Sequence, residues 1–257
     1  MQEPTVEPGP AGTRFGEIRW FALIDSTNSY LLRESQAGAP TGLVAVASHQ
    51  TAGRGRRDRR WDSKPGSGLS FSVLLRPRAE QLPVVNQAFA LAVVDACAVV
   101  GGFRTTIKWP NDILFAGRKL SGILSEVVAV DGDVRALVIG CGINLAWGDD
   151  LPEALRERAV SADEITGRTI ERSAMLDGVL RAFEQRLGRP DWVLEAYRGR
   201  CSTLGQRVRV ELADGEVVGT AVDVLASGPL VVEVGDGSRT EVTAADVVHL
   251  RPVQLPS

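Results

Sequence analysis

The feature that most restricts the fold is an apolar segment at residues 84–100, which is followed directly by Gly101 and Gly102. Within this segment only Asn86, Gln87 and Asp95 carry strongly polar side chains. A segment of this length that stops at glycine predicts a helix with a glycine C-terminus. Because apolar side chains cover most of its surface, we expect the helix to lie in the core of a domain, with other elements packed around it.

Shorter segments on either side have the patterns of helices and strands. Asp25 and Ser26 can cap a helix that begins at Thr27 and ends near Gly38 and Pro40. Strand patterns occur at residues 43–48, 69–75, 105–109, 122–130 and 134–139. The last two flank an Asp-Gly pair, which is typical of a hairpin turn. Helical patterns follow near residues 151–159, 171–187 and 190–199.

The sequence changes in character near residue 200. Short strand patterns separated by turns follow at residues 208–212, 217–225, 230–234 and 247–250. They indicate a small all-β barrel after an α+β domain. The first residues are rich in Pro, Gly and Glu without a hydrophobic period, which indicates a flexible arm. We therefore divide the chain into an N-terminal arm at 1–17, an α+β domain at 18–200 and a β module at 201–257.

Composition excludes several classes of protein. The 257 residues are 44% hydrophobic and 24% charged, with a net charge of -3, so we expect one or two folded domains and not a disordered chain. The apolar runs are shorter than the roughly 20 residues of a membrane span, and the N-terminal residues lack the features of a signal peptide, which predicts a cytoplasmic protein. With three scattered cysteines and two histidines, the sequence predicts neither disulfides nor a protein-held metal site.

An arginine-rich loop follows the first predicted strand, with residues 50–61 reading QTAGRGRRDRRW. Five of the seven residues at 54–60 are arginine, although 26 arginines in 257 residues would predict fewer than one. Forked donors that suit phosphate and carboxylate oxygens belong to Arg54, Arg56, Arg57 and Arg59. Gly53 and Gly55 let the backbone approach a ligand. Taken alone, the loop fits a solvated basic surface or a nucleic-acid contact equally well.

A second polar segment contains two of the only three lysines, and residues 108–126 read KWPNDILFAGRKLSGILSE. Pro110 is expected to end a strand, and Asn111-Asp112 to form a turn that presents polar side chains. Lys119 directly precedes a buried segment, so its ammonium can reach inward. An ammonium suits a compact developing charge, such as the bridging oxygen of an acyl phosphate, better than a guanidinium does. The alternative is that Lys108 and Lys119 lie at the surface beside an ordinary turn.

A third segment, IGCGINL at residues 139–145, is a strand that ends in closely spaced glycines. It lacks the third glycine and the following helix of a dinucleotide-binding turn, which excludes a Rossmann motif. The glycines are expected to let a ligand or backbone come close. Asn144 would then offer amide donors and acceptors.

Together, these segments resemble the motifs of the biotin protein ligase family, in that family's order. The matching pieces are DSTN at 25–28, Gln50 with GRGRRDRRW at 53–61, KWPND at 108–112, RKLSGIL at 118–124 and GCGINL at 140–145. LGQRVRV at 204–210 and DVVHLRP at 246–252 resemble the family's SH3-like C-terminal module. Two residues depart from the pattern: Asp58 replaces a usual glycine, and Cys141 lies within the GxGIN turn. Asp58 is expected to alter the closure of the loop. Cys141 is expected to pack as a small apolar side chain without effect on function.

The resemblance implies a fold and a reaction. The fold is a mixed sheet flanked by helices, like that of class II aminoacyl-tRNA synthetases, with an SH3-like β-barrel after it. The reaction joins biotin and ATP into biotinyl-5'-AMP, with Mg²⁺ bridging the phosphates, and then passes biotin to a lysine of a biotin carboxyl carrier domain. Since the carboxylate of biotin is already ionised, the first step needs alignment and positive charge and no general base.

The resemblance also implies roles for individual residues. Biotin contacts are implied for Ser26, Thr27, Asn28, Gln50, Arg54, Gly55, Arg56 and Lys119. ATP contacts are implied for Arg54, Arg57, Arg59, Trp61, Lys108, Asn111 and Asn144. Lys119 and Arg56 would be catalytic, and Asp112 would assist deprotonation of the acceptor lysine, with turn capping as the commoner explanation of an aspartate there.

Two other functions stay open from the sequence. A lipoate or octanoate ligase or transferase has the same catalytic architecture, although the loop and KWPND favour biotin. A non-catalytic module with its arginine loop on nucleic acid is disfavoured by the net charge of -3 and by the lack of a second basic cluster. Since only about 17 residues precede the matching segment, we expect no DNA-binding domain and no repressor activity. A monomer or weak homodimer is expected.

Overall fold

A large sheet forms the centre of the molecule. The computed structural model describes residues 3–56, 59–61, 64–147, 153–212, 215–243 and 249–252. The strands of the large sheet are β1 (Thr5–Pro8), β2 (Glu17–Phe21), β3 (Leu43–Ala47), β4 (Gly68–Leu75), β5 (Thr106–Lys108), β6 (Asp112–Phe115), β7 (Arg118–Val130) and β8 (Asp133–Asn144). Their order is β1-β2-β3-β4-β8-β7-β6-β5. Only β2 and β3 are parallel among these pairs, so the sheet is mixed, as predicted.

Helices cover both faces of this sheet. They are α1 (Thr27–Gln36), α2 (Leu82–Ala96), α3 (Glu153–Arg156), α4 (Ala162–Thr166), α5 (Arg172–Leu187) and α6 (Val193–Arg200). Leu74 on β4 faces α1, in a core that also contains Leu31. Its neighbour Val73 faces the larger core, which contains Phe89 of α2 and Phe183 of α5. Adjacent residues of one strand thus serve two cores, because side chains alternate across a sheet.

The apolar segment at residues 84–100 is the core helix that the sequence predicts. α2 continues into a π-helical turn, Cys97–Gly101, and ends at Gly102 with a φ of 79°. By length and composition, the stretch Ala79–Gly101 passes as a candidate membrane span, the only such helix among the described residues. However, 67% of its most apolar window is buried within the fold. Most of this apolar window is therefore covered by the protein itself, although Val99 is exposed.

The N-terminal residues form an edge of the sheet, and the flexible arm predicted at 1–17 is wrong for residues 5–17. β1 pairs antiparallel with β2. Phe15 is fully buried and stacks on Phe183 with ring centroids 5.7 Å apart. Arg14 Nε lies 2.9 Å from Glu184 Oε2 on α5. All residues of β1 are exposed, so the sequence of this strand shows no hydrophobic period from which it could be predicted. Backbone pairing with β2 and the buried ring of Phe15 hold the N-terminal residues in place.

The short strand β6 is also absent from the sequence-based prediction, whereas β5 lies within the strand predicted at residues 105–109. Asp112, expected in a turn, begins β6 and pairs with Lys108 of β5. The turn lies one residue earlier, at positions 109–111. β6 returns into β7 through Ala116 and Gly117, whose φ values of 47° and 80° form a tight left-handed turn. Because a turn lies on each side of β6, the strand has four residues, which are too few to show the alternation of apolar and polar side chains that identifies a strand.

The C-terminal residues form a second, antiparallel sheet, which confirms the predicted β module. Its strands are β9 (Arg207–Leu212), β10 (Gly215–Val224), β11 (Leu230–Glu233), β12 (Arg239–Val242) and β13 (His249–Pro252), in the order β12-β11-β10-β9-β13. This module contacts the KWPND turn of the large domain. Trp109 Nε1 donates to the carbonyl of Gly228 at 3.1 Å, and its backbone N donates to Thr203 Oγ1 at 3.0 Å. The C-terminal module therefore helps to position this turn.

Candidate active site

Most of the predicted site residues converge on one cavity of about 220 Å³ at the large sheet. The predicted residues that line it are Ser26, Thr27, Asn28, Gln50, Arg54, Gly55, Arg56, Arg59, Trp61, Lys108, Asn111, Asp112 and Lys119. They come from the start of α1, the arginine-rich loop, the β5–β6 turn and β7. Segments almost a hundred residues apart in sequence thus form one site.

The start of α1 supplies a set of fixed polar groups. Ser26 is the N-cap residue, and its hydroxyl accepts from the backbone N of Ser29. The backbone N of Thr27 donates to Gln50 Oε1 at 2.8 Å, which joins the helix start to the loop after β3. Since Ser26 and Thr27 are buried, these groups face the cavity from a rigid wall.

Asn28 is held by contacts on both sides of its amide. Its Oδ1 accepts from the hydroxyl of Ser72 at 2.6 Å, and its Nδ2 donates to Glu126 Oε2 at 2.7 Å. A Cβ on Gly140 would lie 2.1 Å from Asn28 Oδ1. The first glycine of the GCGIN segment is therefore required for this side chain to fit. The amide of Asn28 is also fixed in one orientation by these bonds.

The arginine-rich loop folds back on itself at the mouth of the cavity, and we refer to residues 53–61 as the flap. The backbone N of Gly55 donates to the carbonyl of Arg59 at 2.7 Å, and that of Trp61 to the carbonyl of Gly53 at 3.0 Å. Arg54 Nη2 lies 2.7 Å from Glu126 Oε2 on β7. The predicted site residue Arg57 and the unusual Asp58 lie outside the described residues.

Trp61 packs against a floor of glycines. A Cβ on Gly142 would lie 2.2 Å from its Cε2 atom, and one on Gly122 would lie 3.3 Å from its Cζ3 atom. The ammonium of Lys119 lies 5.7 Å from the centroid of the ring, a cation–π distance. The GCGIN glycines were predicted to admit a ligand or backbone; in this structure they admit the side chains of Asn28 and Trp61.

Lys119 reaches into the cavity, as predicted. Its Nζ lies 2.6 Å from Asp112 Oδ1, with 36% of the lysine side chain and 24% of the aspartate side chain exposed. Its backbone is fixed on β7, because its N donates to the carbonyl of Arg158 at 2.8 Å and its carbonyl accepts from Val160 at 3.0 Å. The backbone of Lys119 is therefore anchored on β7, and its ammonium lies beside the carboxylate of Asp112.

Asn144 is the described site residue that the structure does not bring to the cavity. It is 2% exposed, and its Nδ2 donates to the carbonyls of Lys119 at 3.3 Å and Val160 at 3.2 Å. Asn144 therefore helps to hold the backbone of Lys119 from the buried side of β7. Its direct contact with ATP stays a prediction.

The sequence did not predict two side chains that contact the site residues, those of Ser72 and Glu126. Ser72 fixes Asn28, and Glu126 binds both Asn28 and Arg54. Ser72 carried a signal, since it is a polar residue within a strand that is buried along its whole length. Glu126 carried a weaker one, as an acid on a largely apolar strand. Further lining residues are Arg60, Phe71, Trp109, Pro110, Gly122, Ile123, Leu124, Gly140, Cys141 and Gly142.

The charge of the lining favours an anionic ligand. Its cationic residues are Arg54, Arg56, Arg59, Arg60, Lys108 and Lys119. Asp112 is the one acid among the described lining residues, and it already pairs with Lys119. No group of three or more potential metal-ligating side chains occurs in the described part of the chain. The cavity can therefore neutralise phosphate and carboxylate groups, whereas a metal ion would have to enter with its own anionic ligands.

The fold and the site define a class of protein. Residues 20–144 match the Biotin/lipoate A/B protein ligase family, and residues 203–250 match the Biotin protein ligase C terminal domain. The chain is 37% identical to the biotin--[acetyl-CoA-carboxylase] ligase of Mycobacterium tuberculosis, with 94% of this chain and 92% of that protein covered. The chain belongs to the biotin protein ligase family.

Two further likenesses agree with this assignment. The bifunctional ligase/repressor BirA of Bacillus spizizenii is 33% identical, with 88% of this chain and 71% of that protein covered. The biotin protein ligase of Aquifex aeolicus, solved in complex with biotin and ATP, superposes with a TM-score of 0.79 and 29% identity, covering 92% of this chain and 99% of that chain. The predicted fold, a biotin ligase domain followed by an SH3-like module, is thus confirmed.

Proposed function

We propose that this chain activates biotin with ATP as biotinyl-5'-AMP and transfers it to a lysine of a biotin carboxyl carrier domain in a cytoplasmic acetyl-CoA or acyl-CoA carboxylase. The observation that carries the proposal is the position of the Lys119 ammonium. It faces the arginine flap across a cavity whose inner wall presents fixed hydroxyl and amide groups. This arrangement suits a ligand that is polar and neutral at one end and anionic at the other.

In the first step, an oxygen of the biotin carboxylate bonds to the α-phosphorus of ATP, and the bond from that phosphorus to the bridging oxygen breaks to release pyrophosphate. Both reactants are anionic, so the step depends on alignment and on positive charge. Arg54, Arg56 and Lys119 would supply the charge around the reacting oxygens. Because Lys119 has a flexible side chain on an anchored backbone, its ammonium can follow the charge as it develops.

The remaining biotin contacts would come from the inner wall. Ser26, Thr27, Asn28 and Gln50 would hydrogen-bond the ureido group and its neighbours, and Gly55 would cover the ligand with its backbone. Since the Thr27 and Gln50 groups bond each other in this structure, their geometry is fixed before biotin enters. Such preorganisation reduces the entropy lost on binding.

ATP would bind along the outer part of the cavity. Arg57, Arg59 and Lys108 would contact the phosphates, while Trp61, Asn111 and Asn144 would help to hold the adenine and ribose. The described lining offers one carboxylate, that of Asp112, which is too few ligands to hold Mg²⁺. Magnesium would therefore enter bound to the phosphates of ATP and reduce their negative charge.

In the second step, the amine of the acceptor lysine attacks the carbonyl carbon of biotinyl-AMP, and AMP leaves with the anhydride oxygen. The amine must lose a proton, and Asp112 is the carboxylate nearest to Lys119. We propose that Asp112 assists this deprotonation. Its ion pair with Lys119 supports a second role, which is to hold the ammonium in place during the first step.

The test uses the purified full chain with biotin, Mg-ATP and a biotin carrier domain. We expect pyrophosphate release and a streptavidin-positive carrier whose mass rises by that of a biotinyl group. A carrier with arginine at the acceptor lysine is the matched control and should stay unlabelled. Labelling with lipoate or octanoate but not biotin would contradict the proposal and support the rival ligase. Tight duplex or RNA binding without pyrophosphate release would support the nucleic-acid module.

We also propose that the enzyme acts as a monomer or weak homodimer and does not repress transcription. The lack of a second basic cluster in the sequence supports the second part of this proposal, since DNA binding needs a basic surface. Sedimentation with and without biotinyl-AMP would measure the oligomeric state. A sequence-specific shift of duplex DNA by the liganded chain would contradict the second part.

A further inference from the structure

Three polar side chains meet at the inner wall of the cavity, where α1 packs on β4. Ser72 on β4 is fully buried and does not line the cavity. Its Oγ atom lies 2.6 Å from Oδ1 of Asn28 and 2.7 Å from Oγ1 of Thr27. Thr27 does line the cavity. A hydroxyl that is closed to the cavity therefore contacts a hydroxyl that a ligand can reach.

The other contacts of Asn28 decide which way its amide is turned. Its Nδ2 atom lies 3.2 Å from the carbonyl oxygen of Leu124 and 2.7 Å from Oε2 of Glu126, and both of these oxygens are acceptors. The amide nitrogen must therefore point to them, which leaves the amide oxygen beside Ser72. Because an amide oxygen has no proton, the bond at 2.6 Å uses the single proton of the Ser72 hydroxyl.

One arrangement is then left for the hydroxyl of Thr27. Two hydroxyl oxygens 2.7 Å apart need a proton between them, and Ser72 has no second proton to give. Thr27 must supply it. The alternative acceptor, Oε1 of Gln50, is farther away at 3.2 Å and already accepts from the backbone N of Thr27 at 2.8 Å. With its proton directed to Ser72, Thr27 Oγ1 offers only lone pairs to a ligand.

We propose that Ser72 is a positioning residue that makes Thr27 Oγ1 an acceptor only, by taking the proton of its hydroxyl. At this position the cavity selects a ligand that carries an N–H donor over one that carries an acceptor. A ureido ring has two N–H donors, whereas the dithiolane ring of lipoate has none. The effect on binding rests on the proposed function, but the direction of the protons is a property of the unliganded chain.

Neutron diffraction from the perdeuterated, unliganded chain tests the proton directions without any ligand. We expect the deuterium of the Ser72 hydroxyl to point to Asn28 Oδ1 and that of Thr27 to point to Ser72 Oγ. A Thr27 deuterium directed to Gln50 Oε1, or into the cavity, would overturn the proposal.

Calorimetry with ring analogues tests the consequence for binding. The probes are biotin and its two cyclic carbamate analogues, in which one or the other ring N–H is replaced by oxygen. We expect the wild type to bind one carbamate about 30-fold more weakly than biotin, because the ring oxygen would face Thr27 Oγ1 with no proton between them. In S72A the Thr27 hydroxyl is free to turn its proton to the ligand, so this ratio of affinities should fall about tenfold.

The ratio separates this role from a structural one, because a general loosening of α1 would weaken the binding of both compounds by the same factor. S70A is the matched control: Ser70 is a buried serine on the same face of β4 that does not line the cavity. It should leave the ratio unchanged. In the T27V background, which lacks the hydroxyl, S72A should not change the ratio further.

Two results from calorimetry would overturn the proposal. They are equal weakening of biotin and the carbamate in S72A, and a change of the ratio by S72A in the T27V background. If the wild-type chain binds none of the three compounds, the proposed function fails, and the neutron structure still decides whether Ser72 takes the proton of Thr27.

Discussion

The Nζ atom of Lys119 lies 2.6 Å from Oδ1 of Asp112, although the two residues start adjacent strands and are not directly opposite in register. A bulge between Ile113 and Leu114 shifts the pairing, so that Asp112 faces Gly122 and Lys119 faces Leu114. The long lysine side chain spans the offset. A Cβ on Gly122 would lie 3.1 Å from both Cε and Nζ of Lys119, so a glycine at this position leaves room for the lysine side chain to reach the carboxylate.

Replacing Lys119 with alanine should slow biotinyl-AMP formation more than it weakens ATP binding. The ammonium would act mainly on charge that develops in the transition state, where the loss of such a group costs about 100-fold or more in rate. Pre-steady-state pyrophosphate release and equilibrium ATP binding measure the two effects. K64A is the control, since Lys64 does not line the cavity. Equal losses in rate and affinity would count against the assigned role.

Replacing Arg56 with alanine should weaken the retention of biotinyl-AMP. A charge-assisted hydrogen bond is worth about 1.5–3 kcal/mol, so we expect release to be about 10- to 150-fold faster. A trapping assay with excess unlabelled biotin measures this rate. R78A removes an exposed arginine that does not line the cavity and should release the adenylate at the wild-type rate. An unchanged rate in R56A would show that the flap arginine does not touch the ligand.

Replacing Gly142 with alanine should displace Trp61. The new Cβ would lie 2.2 Å from the indole Cε2, which neither side can accommodate without moving. If Trp61 stacks on adenine, its displacement should weaken ATP binding between about twofold and tenfold. G199A is a suitable control because a Cβ there meets nothing within 4 Å. The assignment of Trp61 to ATP would be wrong if calorimetry gave both variants the same affinity.

The attachment of the N-terminal strand should depend on pH. Hydrogen bonding to Arg14 lowers the pKa of Glu184 below its usual value of 4.5. A carboxyl whose folded pKa is lowered stabilises the fold above its unfolded pKa, and this stabilisation disappears as the pH falls through the folded pKa. E184Q should therefore lose about 0.5–1 kcal/mol at pH 7, and its difference from the wild type should shrink as the pH falls through the folded pKa of Glu184. A constant difference across this range, measured by thermal unfolding, would contradict the linkage.

The three cysteines should resist alkylation in the folded protein. All three are buried, and burial raises the pKa of Cys97 and of Cys141 to about 12. Since the thiolate is the reactive form, iodoacetamide at pH 8 should label these thiols only after unfolding. Mass spectrometry of the native and denatured chain measures this. Rapid labelling of Cys141 in the native protein would mean that β8 opens at the site.

Much of the site was predictable from the sequence because its signals are local. The arginine cluster at residues 54–60, the rare Lys119 and the polar helix start at Ser26 each stand out against their neighbours. The sequence also points to Gly140 and to Asn28, but not to the contact between them. The residue that fills the space beside a glycine belongs to another segment, here Asn28.

The sequence by itself determined the core helix, the hairpin at residues 131–132, the change to a β module near residue 200, and the family motifs, because each depends on periodicity or spacing within one segment. Only the tertiary structure decided that Glu126 binds Arg54 and that the first residues form an edge strand. Those pairings depend on the order of strands in the sheet, which places β4 beside β8. This order brings Nη2 of Arg54 within 2.7 Å of Oε2 of Glu126, although the two residues are 72 positions apart in sequence. No local pattern records that order, because it results from the packing of both faces at once.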